Sequence, residues 1–520
     1  GVNVQAYTEV LNATDQVYNT AEKAKVDGAL QTFASRALAE AADVPAAVTA
    51  ISVYHDDMRL DYIRGGAQSC LTTNSGASAW KPAGNGTFQH WGAEAGSASD
   101  QSTFLLRAFK SGVPIRNRRF DEFNVLTSIS ASTNANIDCS GGIIVYNLSV
   151  ALAGMLIRRS VHDGTEVKWR FSDMEFRTKN GTARYGLFAD HEPNLSPGDL
   201  DTDRHYRMLE LTNVEIGPYV HDDPTMFFSL GNLFCEDMQA PRFENCTFTG
   251  PKVSGGQPIT GTIGIKIQGY SDPVRTDFVD CTFRSISYGI NTVGDVEGIK
   301  VTGGSFVDVH KGIYLDPPTT GYENLGLYIS DVEFNCIEDC IRAEAGAEIK
   351  IHGCTFRQHD DWSVWAGIRL GTSLAVRDVL IYGNSFTGTS GSVKSRQAIV
   401  LNDVNRCSVF QNRGTFLTNF CDTSTIASAK EIFVTDNNWS DNASTEFNGT
   451  EDQVNTRTYV NTGVSHFGTT FGNNTVAQLA ALTADKTGDT AFCTNETGGM
   501  ITVFFDGTNW RRSSDRAIAS

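Results

Sequence analysis

The chain has 520 residues, with 60 Asp and Glu against 42 Lys and Arg and a formal net charge of -18, a balance that excludes a phosphate-tracking nucleic-acid surface. Hydrophobic residues make up 40% and aromatic residues 10%, enough apolar surface for a large core and too much for a disordered chain. The longest apolar stretch, Gly141 to Ile157, is shorter than the roughly 20 residues of a spanning helix and holds Asn147 and Ser149; it reads as two buried strands, and no membrane insertion is expected.

Gly1-Val2-Asn3-Val4 is followed by no basic segment and no apolar run, so no secretory signal is expected. Residues 1–50 are Ala-rich, with Val10, Val17 and Ala24 at heptad spacing and Val26, Leu30, Phe33 and Ala37 at helical spacing, which predicts a helical neck. Residues 51–130 open with strand-and-turn patterns. They lead to a helix that Asp100 can cap and that carries Phe104, Leu105, Ala108 and Phe109, a lid for the open end of a strand stack.

From 131 to 442 a repeat takes over. A short apolar strand runs through Asn, Gly or Asp into an anchor at Phe176, Ile216, Phe248, Phe283, Phe306, Phe334, Phe356 and Phe386, with weaker copies at Phe416 and Trp439. Spacings run from 22 residues (Phe334 to Phe356) to 40 (Phe176 to Ile216), with no helical pattern between. Each anchor precedes a second strand of the form Gly-Ile-x-apolar-x, beginning at Gly186, Phe227, Gly264, Gly289, Gly312, Cys340, Gly367 and Ala398. Both series alternate with period 2.

Such units predict an all-β fold, a right-handed parallel β-helix with the Phe ladder inside and loops of variable length at one edge. An antiparallel sandwich of short strands is the alternative, and the scarcity of Asn-Gly hairpin signals speaks against it. Residues 443–520, with a helical run from Val476 to Leu482, read as a small C-terminal β module. The 11 cysteines include no CxxC pair and no zinc-spaced Cys/His cluster, so most read as buried hydrophobes, at least one is free, and no metal or cofactor is expected. Cys336 and Cys340 form the one local pair with the spacing for a disulfide or a metal.

Four segments resemble a known family: GVNVQAYTEVL at the start, MRLDYIRGG with AWKPAG, FQHWGAEAGSASDQSTFLLRAF, and AALTADKTGDTAF with FFDGTNWRRSSDRAI at the end. They are similar to bacteriophage tailspikes and tail fibres of the pectate-lyase-like β-helix superfamily. The third segment keeps Gly92, Ala93 and Asp100 of the usual entry motif but lacks its Gly-Asp-Gly core. The resemblance implies a homotrimer in the virion, joined to phage tail or baseplate proteins. It also implies binding of bacterial surface polysaccharide as host receptor and, in many members, depolymerisation of it.

If the Gly-Ile strands stack, their outward residues form two columns about 4.8 Å apart per rung. The first reads Phe188, Ser229, Lys266, Asn291, Tyr314, Arg342, Arg369, Val400; the second reads Asp190, Gly231, Gln268, Val293, Asp316, Glu344, Gly371, Asn402. Asp316 and Glu344 become neighbours, a spacing suited to a retaining glycosidase, with Tyr314, Arg342 and Arg369 as substrate-binding or carboxylate-holding groups. Ordinary cross-strand ion pairing, Asp316 with Arg342 and Glu344 with Arg369, is the competing reading. Trp362 and Trp365, beside His359, Asp360 and Asp361, are the expected glycan platform. Glu236 and Asp237, with the acids of the loop segments DHEPNLSPGDLDTDR and HDDP, are further catalytic candidates, against which solvated loops and turn caps are the favoured reading, and His310 reads as structural. A lyase with Tyr314 as base, and a non-catalytic receptor-binding fibre, remain alternatives for the same columns.

Overall fold

The computed structural model describes residues 31–46, 48–55, 58–65, 69–73, 78–133, 135–159, 167–190, 208–238, 240–252, 257–269, 274–294, 296–316, 325–359, 364–371, 375–389, 396–422, 432–435, 437–440, 445–448, 473–474, 490–493, 501–505 and 510–512. They belong to two units, 1–291 and 292–520. Among the described residues no helix is long and apolar enough to cross a membrane.

The first unit opens with a five-stranded sheet in the order 31–33, 50–55, 58–64, 78–82, 71–73. The helical periodicity around Phe33 is overridden here: Gln31–Phe33 is a strand paired in parallel with Ile51–Val53, and the helix is only Arg36–Ala41, capped by the Ser35 hydroxyl. The rest of the predicted neck, residues 1–30, lies outside the described residues. The lid helix is Ser102–Lys110. Gln101 is its N-cap residue, yet the Asp100 carboxylate still accepts from the Ser102 amide at 3.1 Å and from the Leu126 amide at 2.9 Å, tying the helix start to the first coil. Phe109 reaches into that coil, 5.4 Å from Phe88 and 6.1 Å from Phe171.

Both units then wind as a right-handed parallel β-helix of three strands per coil, and within each unit the three series of coil strands are parallel sheets. The Phe motif is two strands meeting at a sharp corner: Trp169–Ser172 turns at Asp173 (φ 53°) into Glu175–Thr178, which carries Phe176. The Asn, Asp or Gly of the motif is the corner residue, left-handed at Asn213, Asn245, Asp280, Asp331 and Gly353 as well, where short polar side chains and glycine tolerate positive φ. The next position turns inward, so Cys246, Cys281 and Cys354 are buried there and Asn384, Asn412 and Asn437 form a hydrogen-bonded ladder. Ten cysteines, Cys336 and Cys340 among them, are free and buried.

The Phe ladder stacks in the interior. In the second unit Phe306, Phe334, Phe356 and Phe386 follow at 4.8, 5.0 and 4.7 Å, nearly coplanar in tilt and almost fully buried. The Gly-Ile strands pass against this stack, and a Cβ on Gly312 would lie 2.9 Å from the Phe334 ring and 2.4 Å from the Cys340 carbonyl. The ladder ends sooner than the motif suggests. Gly414 takes the rung after Phe386, Leu417 and Phe420 fill the space a side chain there would need, and Phe416 is 38% exposed.

One Gly-Ile rung is also displaced from its expected position. Phe227 to Leu230 form a turn in which Phe228 packs on Tyr146, and the strand is Gly231–Glu236, with Leu233 and Cys235 inward. Phe234, not Ser229, therefore follows Phe188, and Glu236, not Gly231, follows Asp190. The last strands of the β-helix are Asn438–Ser440 and Thr445–Asn448. Beyond it, strands 473–474, 490–493, 501–505 and 510–512 make a four-stranded sheet, and the expected helical run at Val476 to Leu482 lies outside the described residues.

Candidate functional site

In the second unit the strands Lys311–Leu315, Asp339–Ala343 and Trp365–Leu370 lie side by side, and alternation decides which side chains leave the core. Ile313, Ile341 and Ile368 point inward at 0% exposure, so Tyr314, Arg342 and Arg369 stand in one outward column, each in register with the next. The ladder continues one residue past the strand ends. Glu344 N–H donates to the Leu315 carbonyl at 3.0 Å and Gly371 N–H to the Ala343 carbonyl at 2.9 Å. Asp316 and Glu344 consequently occupy adjacent rungs, about 4.8 Å apart along the backbone.

Glu344 is the buried member, with a side chain 3% exposed, and its Oε1 accepts from Arg342 Nε at 2.6 Å. The Tyr314 hydroxyl donates to the same Oε1 at 3.4 Å and also interacts with Asp316, which is half-buried. Burial, the hydrogen bond to Asp316 and the charges of Asp316 and Glu344 push the Tyr314 phenol well above its ordinary value, and Arg342 only partly offsets them. A tyrosine in this setting keeps its proton, which disfavours it as the base of an elimination. Lys311 Nζ and the Arg342 guanidinium lie 5.4 and 5.7 Å from the Tyr314 ring centroid.

The ion pairs differ from the expected ones. Arg342, not Arg369, holds Glu344, while Arg369 Nε donates to both oxygens of Asp339 at 3.1 and 3.2 Å; Arg342 Nη1 approaches Asp339 at 3.5 Å. Strand parity groups Asp339 with the inward Ile341, so alternation alone does not select it. Burial holds its carboxyl above the usual range in spite of Arg369 and Arg342. Below it, Glu338 is held low by His310, with Lys311 adding to the effect, and His359 Nε2 lies 2.7 Å from Asp308 Oδ1.

The aromatic platform needs correction. Trp365 is 0% exposed, because it begins a strand and turns into the core, so its indole offers no face to a sugar. Trp362, with Asp360 and Asp361, lies outside the described residues. Among the described residues, the aromatic ring beside the carboxylates is Tyr314.

No protein-family model matches the chain, and no curated protein does. Among solved structures it is similar to the full-length tailspike protein 2 of the Escherichia coli O157:H7 bacteriophage CBA120, at 14% identity and a TM-score of 0.48, covering 78% of this chain and 54% of that one. It thus spans about half the length of that tailspike. It is also similar to the gp42 tailspike of Acinetobacter phage vb_AbaP_AS12 (11% identity, TM-score 0.47, covering 93% and 88%) and to a Family 28 exopolygalacturonase of Yersinia enterocolitica (8% identity, TM-score 0.44, covering 75% and 84%).

Proposed function

We propose that the chain is a phage tailspike that binds bacterial surface polysaccharide and depolymerises it by glycoside hydrolysis. In this reading it is a homotrimer carried on the phage tail, acting at the outer surface of the host. One observation carries the chemistry: Asp316 and Glu344 sit on adjacent outward rungs, joined through the Tyr314 hydroxyl, with Arg342 fixed on Glu344. The half-buried Asp316 is the group that reaches the glycosidic oxygen as acid and then base. Glu344, paired with Arg342, is the second carboxylate of the pair. Arg369 and Tyr314 line the same column as substrate contacts.

The test is hydrolysis of host surface polysaccharide by wild type, Asp316→Asn and Glu344→Gln. New reducing ends with no rise in absorbance at about 235 nm, lost in both variants by roughly 100-fold or more, agree with the proposal. A rise in that absorbance would make the protein a lyase. Binding without cleavage would make it a receptor-binding fibre.

A further inference from the structure

In the first unit the strand Glu122–Val125 carries Glu122 and Asn124 on its outward side, because Phe123 and Val125 are at 0% exposure in the core. It pairs in parallel with Ile143–Tyr146, which pairs with Glu175–Thr178, and Lys179 follows directly on the last of these. Lys179 therefore starts two rungs away from Glu122 and Asn124. Its side chain runs back along the outward column, across the rung where Val145, in register with Asn124, is fully buried. Lys179 Nζ ends 3.2 Å from Glu122 Oε1 and 3.4 Å from Asn124 Oδ1.

Each partner is held by a contact of its own. The Asn124 amide nitrogen donates to the Ser97 carbonyl, which leaves Oδ1 toward the lysine. The Tyr219 hydroxyl donates to Glu122 Oε2 at 3.0 Å, so Oε1 is the carboxylate oxygen that meets Nζ, and the Tyr219 ring centroid lies 4.3 Å from Nζ. The Lys179 and Glu122 side chains are 30% and 25% exposed, so the group is largely shielded from water. A surface ion pair explains Lys179 and Glu122 but not a carboxamide fixed in the same contact. An amine, a carboxamide and a carboxylate at one point are what amide exchange needs: a nucleophile, an acyl carbon with a leaving group, and a proton carrier within hydrogen-bond reach.

We propose that Lys179 and Asn124 are the site of an intramolecular isopeptide bond, which the chain forms by itself with Glu122 as proton carrier. Glu122 takes a proton from the Lys179 ammonium, and the free amine attacks Asn124 Cγ. The bond from Cγ to Nζ forms and the bond from Cγ to Nδ2 breaks, while Glu122 passes its proton to the departing nitrogen and is regenerated as carboxylate. Nζ sheds a second proton to the same nitrogen, so one ammonium ion leaves, one amide replaces another, and nothing is oxidised or reduced. The product ties the first coil of the β-helix to the third. It also closes a span of 55 residues in the unfolded chain, restricting that state as a disulfide would.

The experiment is intact-mass spectrometry of the denatured full chain, purified and then incubated at neutral pH, with peptide mapping of a proteolytic digest. Wild type should weigh less than its sequence mass by one ammonia, about 17 Da, and the digest should yield a branched peptide that joins Asn124 to Lys179. Lys179→Arg, Asn124→Ala and Glu122→Gln should each show their full sequence mass, with circular dichroism confirming that Glu122→Gln is folded. Wild type at full sequence mass, with Asn124 and Lys179 recovered on separate unmodified peptides, overturns the proposal and leaves an ion pair with a neighbouring amide. Loss of ammonia that maps to a succinimide at Asn124, with Lys179 unmodified, overturns it as well. A branched peptide formed as fully in Glu122→Gln overturns the role given to Glu122.

Discussion

Replacing Arg342 by Met isolates what the buried Glu344 costs without its partner. The Glu344 side chain is 3% exposed and Arg342 Nε stands 2.6 Å from Oε1, so the guanidinium is its principal compensation for lost hydration. Two unit charges with centres about 4 Å apart interact by about 4 kcal/mol at an effective dielectric constant of 20, and removing one partner of a buried pair costs about 3–5 kcal/mol. Arg342 is 28% exposed, and water there screens part of this, so a loss of about 2–3 kcal/mol is expected for Arg342→Met. Glu344→Gln on the Arg342→Met background should recover much of it, because an amide is cheaper to bury than a carboxylate that has lost its guanidinium. Guanidinium unfolding followed by Trp fluorescence gives the four corners of the cycle. A change below about 0.5 kcal/mol for Arg342→Met, or additive effects in the double variant, would refute the claim that this arginine stabilises the buried Glu344.

Two further outcomes follow from the same geometry. His90 is buried and its Nδ1 accepts from the Thr87 amide at 3.0 Å; burial lowers its pKa from 6.5 to about 4. The folded value lies below the unfolded one, so this stability is complete above about pH 6.5 and is lost as pH falls toward 4; His90→Gln should flatten thermal stability across that window by up to about 3 kcal/mol. Gly312→Ala would push a methyl against the Cys340 carbonyl and the Phe334 ring, and a loss of about 1–3 kcal/mol in chemical unfolding is expected, with wild-type stability contradicting the close approach.

The repeat was legible because each of its parts has a physical cause visible in one dimension. The corner residues Asp173, Asn213 and Asp331 adopt positive φ, the Phe anchors stack inside, and Gly264, Gly312 and Gly367 run too close to that stack for a Cβ. The Tyr314, Arg342, Arg369 column was legible for the same reason, since strand parity alone defines it. What parity cannot define was missed. Phe228 looks like strand and is spent on a contact with Tyr146 in a turn, which hid the pairing of Asp190 with Glu236. Asp339 has inward parity but sits at a strand end, where the chain bends and its carboxylate turns to Arg369. Trp365, expected on the glycan platform, opens a strand and is buried in the core. At Gln31–Phe33 helical periodicity lost to pairing with a strand that lies 20 residues on, as the partnership of Gln31 with Ile51 shows.

The most direct test of the account is a crystal structure of the Glu344→Gln chain with an oligosaccharide cut from the host polysaccharide. The account predicts sugar against the outward columns of the Gly-Ile strands, touching Tyr314 and Asp316. Sugar bound elsewhere on the chain, with those columns bare, would contradict it.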